Sequence, residues 1–158
     1  MDTSRRQALK GGGGITLFAL LAAAGWLAPE DAAGADAWNK NAFETKSMDE
    51  TMKALGGGTP AQSKDITFFS TPDIAENGAV VPIGITSAVP KTESIAIMVE
   101  KNPNMLAAVF EIPAATEPTL STRIKMAQTS NVYALVKADG KYYVASKEIK
   151  VTLGGCGG

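Results

Sequence analysis

Histidine is absent from all 158 residues, which removes the commonest neutral-pH general base and the commonest metal ligand from the chain. Most hydrolase and metalloenzyme readings weaken at once. A single cysteine, Cys156, leaves no internal disulfide, no CxxC redox pair and no thiolate zinc cluster. Any sulfur chemistry therefore falls to one thiol. Neither sign of charge is in excess: the formal net charge is −1, and residues 36–158 hold 12 Lys and Arg against 13 Asp and Glu. That balance gives no reason to expect a nucleic acid or a charged membrane surface as partner.

What is present begins with an address. Arg5 and Arg6 precede an apolar, uncharged and glycine-diluted stretch over 11–28, and Ala33-Gly34-Ala35 supplies small residues of the A-x-A cleavage kind. Paired arginines ahead of a weakly hydrophobic segment fit the twin-arginine export route, which carries folded proteins. The same stretch approaches the lower length limit for a membrane anchor, but its glycines and the cleavage pattern favour a removed signal over 1–35 and a periplasmic protein. The remaining 123 residues suffice for one domain with its own core, expected over 36–153.

Within that domain the helical signal is confined to the start. Ser47 with Glu50 three residues on forms a capping box, Met48, Met52 and Leu55 share one face, and Gly56 to Gly58 end the segment. A helix of about two turns lying as a lid on a sheet is expected. From Asp65 onward, short runs rich in Val, Ile, Thr, Phe and Tyr alternate with Pro, Gly and Asn clusters, predicting strands over 65–69, 79–87, 93–100, 106–112, 119–127, 130–138, 141–146 and 147–153. Asp139-Gly140 signals a tight hairpin. The partial alternation of 132–137 predicts a strand buried on both faces or covered by a partner. Strands of this number and spacing point to an all-β fold, an immunoglobulin-like β-sandwich rather than a closed barrel.

Several residues invite a functional reading and receive a plainer one. Asp49 with Glu50, or Glu111 with Glu117, are read as solvated surface rather than as an acid–base pair. Gly56 to Gly58 lack the lysine and helix of a phosphate loop. Met98, Met105 and Met126 are read as core filling within β runs rather than soft-metal ligands, and Phe68, Phe69 and Phe110 as core or interface.

The informative element is the end of the chain, where a strand runs into Gly154-Gly155-Cys156-Gly157-Gly158. Glycines bury nothing and sample backbone states closed to other residues, so a slender solvated arm is expected, with its thiol accessible. An exposed lone thiol in an oxidising compartment becomes modified or pairs with another molecule. Three residues at about 3.3–3.6 Å each carry Cys156 roughly 10 Å beyond the last strand, far enough to enter another protein's active site. No adjacent cation lowers the thiol pKa, so activation is expected from a partner. The plainer alternatives are a covalent homodimer through Cys156 and a terminus without a role.

At its C-terminus the sequence resembles the SoxY family, the carrier subunits of bacterial thiosulfate-oxidising systems, on the motif Gly154-Gly155-Cys156-Gly157-Gly158. Supporting segments are PDIAENGAVVP from Pro72, VEKNPN from Val99, STRIKM from Ser121 and ASKEIKV from Ala145. The resemblance implies a periplasmic, immunoglobulin-like subunit paired with a SoxZ-like sandwich, itself no enzyme and holding no cofactor, with sulfur intermediates bound covalently to Cys156. It further implies that a haem-containing SoxAX cytochrome loads thiosulfate onto the cysteine and that a SoxB hydrolase releases sulfate. In some systems a SoxCD sulfane dehydrogenase oxidises the sulfur left behind. Only Cys156 carries over as an attachment site, with the four glycines as its arm. Two rivals stay open at this point: an adhesion or chaperone-like module whose cysteine only dimerises, and a thiol peroxidase or sulfurtransferase acting alone. The second lacks a histidine for its thiol.

Overall fold

The computed structural model describes residues 39–153; the expected export signal and the arm with Cys156 lie outside the described residues. The chain enters through a short 3-10 helix, Lys40–Glu44, and an α-helix α1, Met48–Ala54. Ser47 Oγ accepts from Glu50 N at 3.3 Å, as a capping residue should, but Glu50 Oε2 reaches one residue further back than expected, accepting from Lys46 N at 2.9 Å. At the other end Gly57 N donates to Met52 O and Gly56 N to Lys53 O, a paired closure that needs the positive φ of 74° found at Gly56. Gly57 itself lies under Tyr142: a Cβ there would sit 2.5 Å from the tyrosine ring. The Tyr142 hydroxyl donates to Leu55 O at 2.8 Å, so the end of α1 is latched to the sheet.

Nine strands follow: β1 Ala61–Gln62, β2 Ile66–Phe69, β3 Ile74–Asn77, β4 Val81–Ser87, β5 Thr92–Val99, β6 Leu106–Glu111, β7 Thr119–Ile124, β8 Ser130–Ala138 and β9 Lys141–Leu153. The large sheet runs β1-β9-β8-β5-β6, with β3 also on β9; the small sheet runs β2-β4-β7. Isoleucines and valines from both, including Ile83, Ile85, Ile95, Ile97, Val132, Val136 and Ile149, form the core between them. The expected immunoglobulin-like sandwich with a short helix at its start is the architecture observed.

The outer face of the large sheet carries a second, smaller core. Met52 of α1 packs with Met98, Leu106, Leu135 and Val144, and Met48 and Leu55 lie against the same cluster, so the helix is a lid as expected. That explains β8. Val132, Ala134, Val136 and Ala138 enter the inter-sheet core while Leu135 and Tyr133 meet the lid side, so this strand is buried on both faces by its own chain. The β8–β9 hairpin turns on Asp139 and Gly140 with φ of 51° and 71°, the primed turn that Asp-Gly favours. Met98, Met105 and Met126 are buried, though Met105 and Met126 sit just outside strands rather than within them.

Three expectations need correction. The segments 141–146 and 147–153 are one 13-residue strand, β9. The polar residues at the expected break are accommodated because the Lys147 ammonium lies 3.0 Å from Asp73 and donates to Thr71 O, while Glu148 lies opposite Asn131. Strands β1 and β3 lie outside the expected strands. Each is too short to show alternation, and each exists because β9 offers its edge: β1 pairs in parallel with Tyr143 and Val144, β3 with residues 150–153. The 3-10 helix also went unpredicted, held by Asn39, whose Oδ1 accepts from Ala42 N and whose Nδ2 donates to Ala54 O.

Candidate functional site at the root of the arm

β9 outruns its neighbour. Its last pair with β8 is Ser130 with Ile149, so the residues from Lys150 to Leu153, which lead into the arm, need other partners for their backbone groups. β3 supplies them on one side, with Ile74 opposite Lys150, Ala75 opposite Val151 and Asn77 opposite Leu153. Gly78 N then donates to Leu153 O at 2.7 Å, and the Thr152 hydroxyl donates to Glu76 O at 2.9 Å. On the other side the Thr129 hydroxyl substitutes for the missing strand, accepting from Val151 N at 2.9 Å. Gly154 therefore follows a strand end held along one edge by β3 and, on the other, at Val151 by Thr129. Thr129→Val should leave the Val151 N–H without its acceptor, costing about 1–3 kcal/mol. Faster amide exchange at Val151 than in the parent protein would check this.

The surroundings of this root are unusual in one respect. Of the four large apolar side chains exposed among the described residues, Ile74, Val80 and Leu153 lie on β3, on the turn after it and at the last residue of β9, with Leu153 64% exposed. By the β3–β9 register Ile74 faces away from the inter-sheet core while Leu153 lies on the face of Ala75 and Val151, so the exposed apolar residues flank the strand end on both of its faces. Glu100 accepts from Asn131 Nδ2 at 2.9 Å on the outer side of the large sheet. There, burial first and the Glu100 charge second push the Tyr133 hydroxyl above its usual pKa, against the lowering effect of its hydrogen bond with Asn131. Lys101, Arg123, Lys125 and Lys150 form no ion pair among the described residues.

Of the sequence-derived candidates, Cys156, Gly154, Gly155, Gly157, Gly158, Arg5 and Arg6 lie outside the described residues. Glu50 is occupied as a cap, Asp49 and Glu111 are exposed, and Glu117 accepts from Thr119 in a loop. Among the described residues no three Asp, Glu, Cys or His side chains are grouped to hold a metal. A cavity of about 640 Å³ opens beside Ser87, Thr92 and Pro113, next to the Asp139-Gly140 hairpin. That is the opposite end of the sandwich, separated from the arm by the length of β9, about 44 Å at 3.4 Å per residue.

The model of the family described as sulfur oxidation protein SoxY matches residues 51–156, most of the sandwich together with the cysteine position. The chain belongs to the SoxY family. Among solved structures, the sulfur carrier protein SoxY from Chlorobium limicola f. thiosulfatophilum is 36% identical, with a TM-score of 0.60 over 66% of this chain and 96% of that one. A chain from a structure of T cell activation by the bacterial superantigen toxic shock syndrome toxin-1 matches at 13% identity and a TM-score of 0.40, over 54% of this chain and 97% of that chain, too slight a likeness to carry an argument. No curated protein sequence matches. Sequence reasoning missed β3 and Thr129, which hold the base of a SoxY arm in place. The one available signal was Asn77-Gly78, a turn dipeptide at the end of β3.

Proposed function

We propose that this chain is the sulfur carrier of a thiosulfate-oxidising system and that Cys156 is its covalent attachment site. The observation that carries the reading is a terminal thiol on glycines that follow a strand end pinned by β3 and Thr129, in a chain of the SoxY family. A fixed base with a slender arm delivers one sulfur atom to several active sites, and tethering keeps intermediates at high effective concentration instead of letting them diffuse away. The chain offers no histidine to activate the thiol, so catalysis belongs to partner enzymes and the chain acts as their substrate.

In the proposed cycle the Cys156 thiol loses its proton and bonds to the outer sulfur of thiosulfate, and an electron pair leaves to a SoxAX-type haem cytochrome. Water then cleaves the bond between that sulfur and the sulfonate, with a SoxB-type hydrolase releasing sulfate and a persulfide remaining on Cys156. A SoxCD-type dehydrogenase, where present, passes six electrons from the outer persulfide sulfur to its own acceptor while three waters supply the oxygens and release their protons. Hydrolysis of the resulting S-sulfonate releases a second sulfate and returns the free thiol. A SoxZ-like subunit is the proposed heterodimer partner, and exposed Leu153 at the arm's root suits burial against it. The Arg5–Arg6 pair ahead of the glycine-diluted apolar stretch supports export of the folded protein to the periplasm by the twin-arginine route.

Intact mass of the protein from cells grown on thiosulfate tests the reading directly. A sulfur adduct that reductant removes, present in the parent and absent from Cys156→Ser, is the expected result. An unmodified thiol, or only a homodimer disulfide, would sink it.

A further inference from the structure

The two sheets leave matching edges open on one side of the sandwich. As strands, β6 pairs only with β5 and β7 only with β4, although Met105 N, just ahead of β6, donates to Thr45 O; on the opposite side β9 is flanked by β1 and β3. Between the open edges runs a groove of about 440 Å³, walled by residues 106–108 of β6 and 122–125 at the end of β7 and closed by the 102–104 turn. An uncovered strand edge presents a row of unpaired N–H and C=O groups, and proteins ordinarily guard it with lysine, proline or inward charge. β6 reads LAAVFE, with no lysine, proline or inward charge before Glu111, its single guard being a bulge. A bulge at Ala107, left unpaired between the pairs Ile97–Ala108 and Met98–Leu106, bends the strand at the groove.

The groove's charge is one-sided. Arg123 and Lys125 line it, both exposed and neither ion-paired, and no carboxylate lines it. Lys40, Lys91, Lys137 and Lys147, in contrast, each have a carboxylate partner. The nearest acid in sequence to the 102–104 turn, Glu100, is engaged by Asn131.

The groove's frame is hydrogen-bonded to the rest of the sandwich. Asn102 Nδ2 donates to Lys125 O at 2.8 Å, Asn102 Oδ1 accepts from Ala127 N at 2.9 Å, and Met126 N donates to Gly78 O at 2.7 Å. Gly78 is the residue that also holds Leu153, so the groove's end lies two chain spacings from the arm's root, about 10 Å at roughly 4.8 Å each.

We propose that this groove docks an acidic, extended segment of a partner protein, which adds as a strand to an open edge while its carboxylates meet Arg123 and Lys125. The inference rests on the carrier reading for its purpose: a partner seated there has the arm's root beside it. Its physical basis is independent of the thiol, since open edges supply main-chain affinity and unpaired cations supply selection for acid.

The test is amide-shift mapping by NMR on the labelled protein with a blocked hexapeptide of alternating glutamate and valine, its glutamine counterpart, and sodium sulfate. The acidic peptide should shift amides of β6, β7 and the 102–104 turn. Its affinity should fall about tenfold in the Arg123→Gln, Lys125→Gln double variant, fall with added salt, and stay unchanged in Cys156→Ser. Equal binding of the glutamine peptide, shifts elsewhere or none, or the same shifts from sulfate alone would overturn the proposal, the last by reducing the groove to a small-anion site. Failure of the carrier reading shows up separately, as absence of an adduct on Cys156.

Discussion

Cys156→Ser should reduce thiosulfate-dependent electron transfer to background when the protein is supplied to its partner enzymes, without moving its unfolding midpoint. The nucleophile is a thiolate, and a serine hydroxyl at a position with no histidine or cation built beside it in sequence does not ionise near neutral pH. Stability should stay within about 0.5 kcal/mol, because both hydrophobic cores are built from residues between Ala42 and Val151. The pairing of full functional loss with unchanged unfolding separates a carrier from a structural module, in which the same substitution leaves the main activity intact. Oxygen-linked or cytochrome-linked turnover and a denaturant melt of the same preparation check the two halves.

Ile97→Ala acts on the opposite property. Ile97 is fully buried on β5, the strand between β8 and β6, in register with Ala134 and Ala108, whose small side chains offer little to fill a vacated space. Removing its branched side chain should cost about 2–5 kcal/mol, a large share of the roughly 5–15 kcal/mol that holds a domain together. A urea melt should show a lower midpoint with an unchanged slope. Val80→Ser, at a residue 54% exposed beside the arm's root, should move that midpoint by no more than about 0.5 kcal/mol and serves as the control. If Val80→Ser weakens association with a second subunit while sparing stability, the apolar surface around the root is an interface.

Much of this was legible because it depends on local chemistry. The lid helix follows from Ser47 and Glu50 at one end and Gly56 at the other, groups that act within a few residues of each other. The hairpin follows from Asp139-Gly140, whose positive φ values any structure of that sequence would need. The buried strand β8 was readable from its lack of alternation, although whether its own chain or a partner covered it was not, since that answer lies in α1 some eighty residues away.

The corrections share one cause. Strands β1 and β3 carry no pattern of their own: Ala61–Gln62 is exposed throughout, and Ile74–Asn77 buries only Ala75. They are strands because β9 presents unsatisfied backbone groups across a gap of some seventy to eighty residues. The apparent break in β9 at Lys147 disappears for the same reason, as Asp73 and Thr71 arrive from a distant loop to meet the ammonium.

By itself, then, the sequence determined the fold class, the single thiol on its glycine arm and the absence of any histidine to activate it, because composition and short-range periodicity are properties of neighbours along the chain. Only the tertiary structure decided how the arm's base is held, by β3, Gly78 and Thr129, and that two open edges with two unpaired cations lie beside it. Those depend on which distant backbone groups remain unbonded once the sheets have formed, and hydrogen-bond satisfaction over such separations leaves no periodic trace in the order of residues.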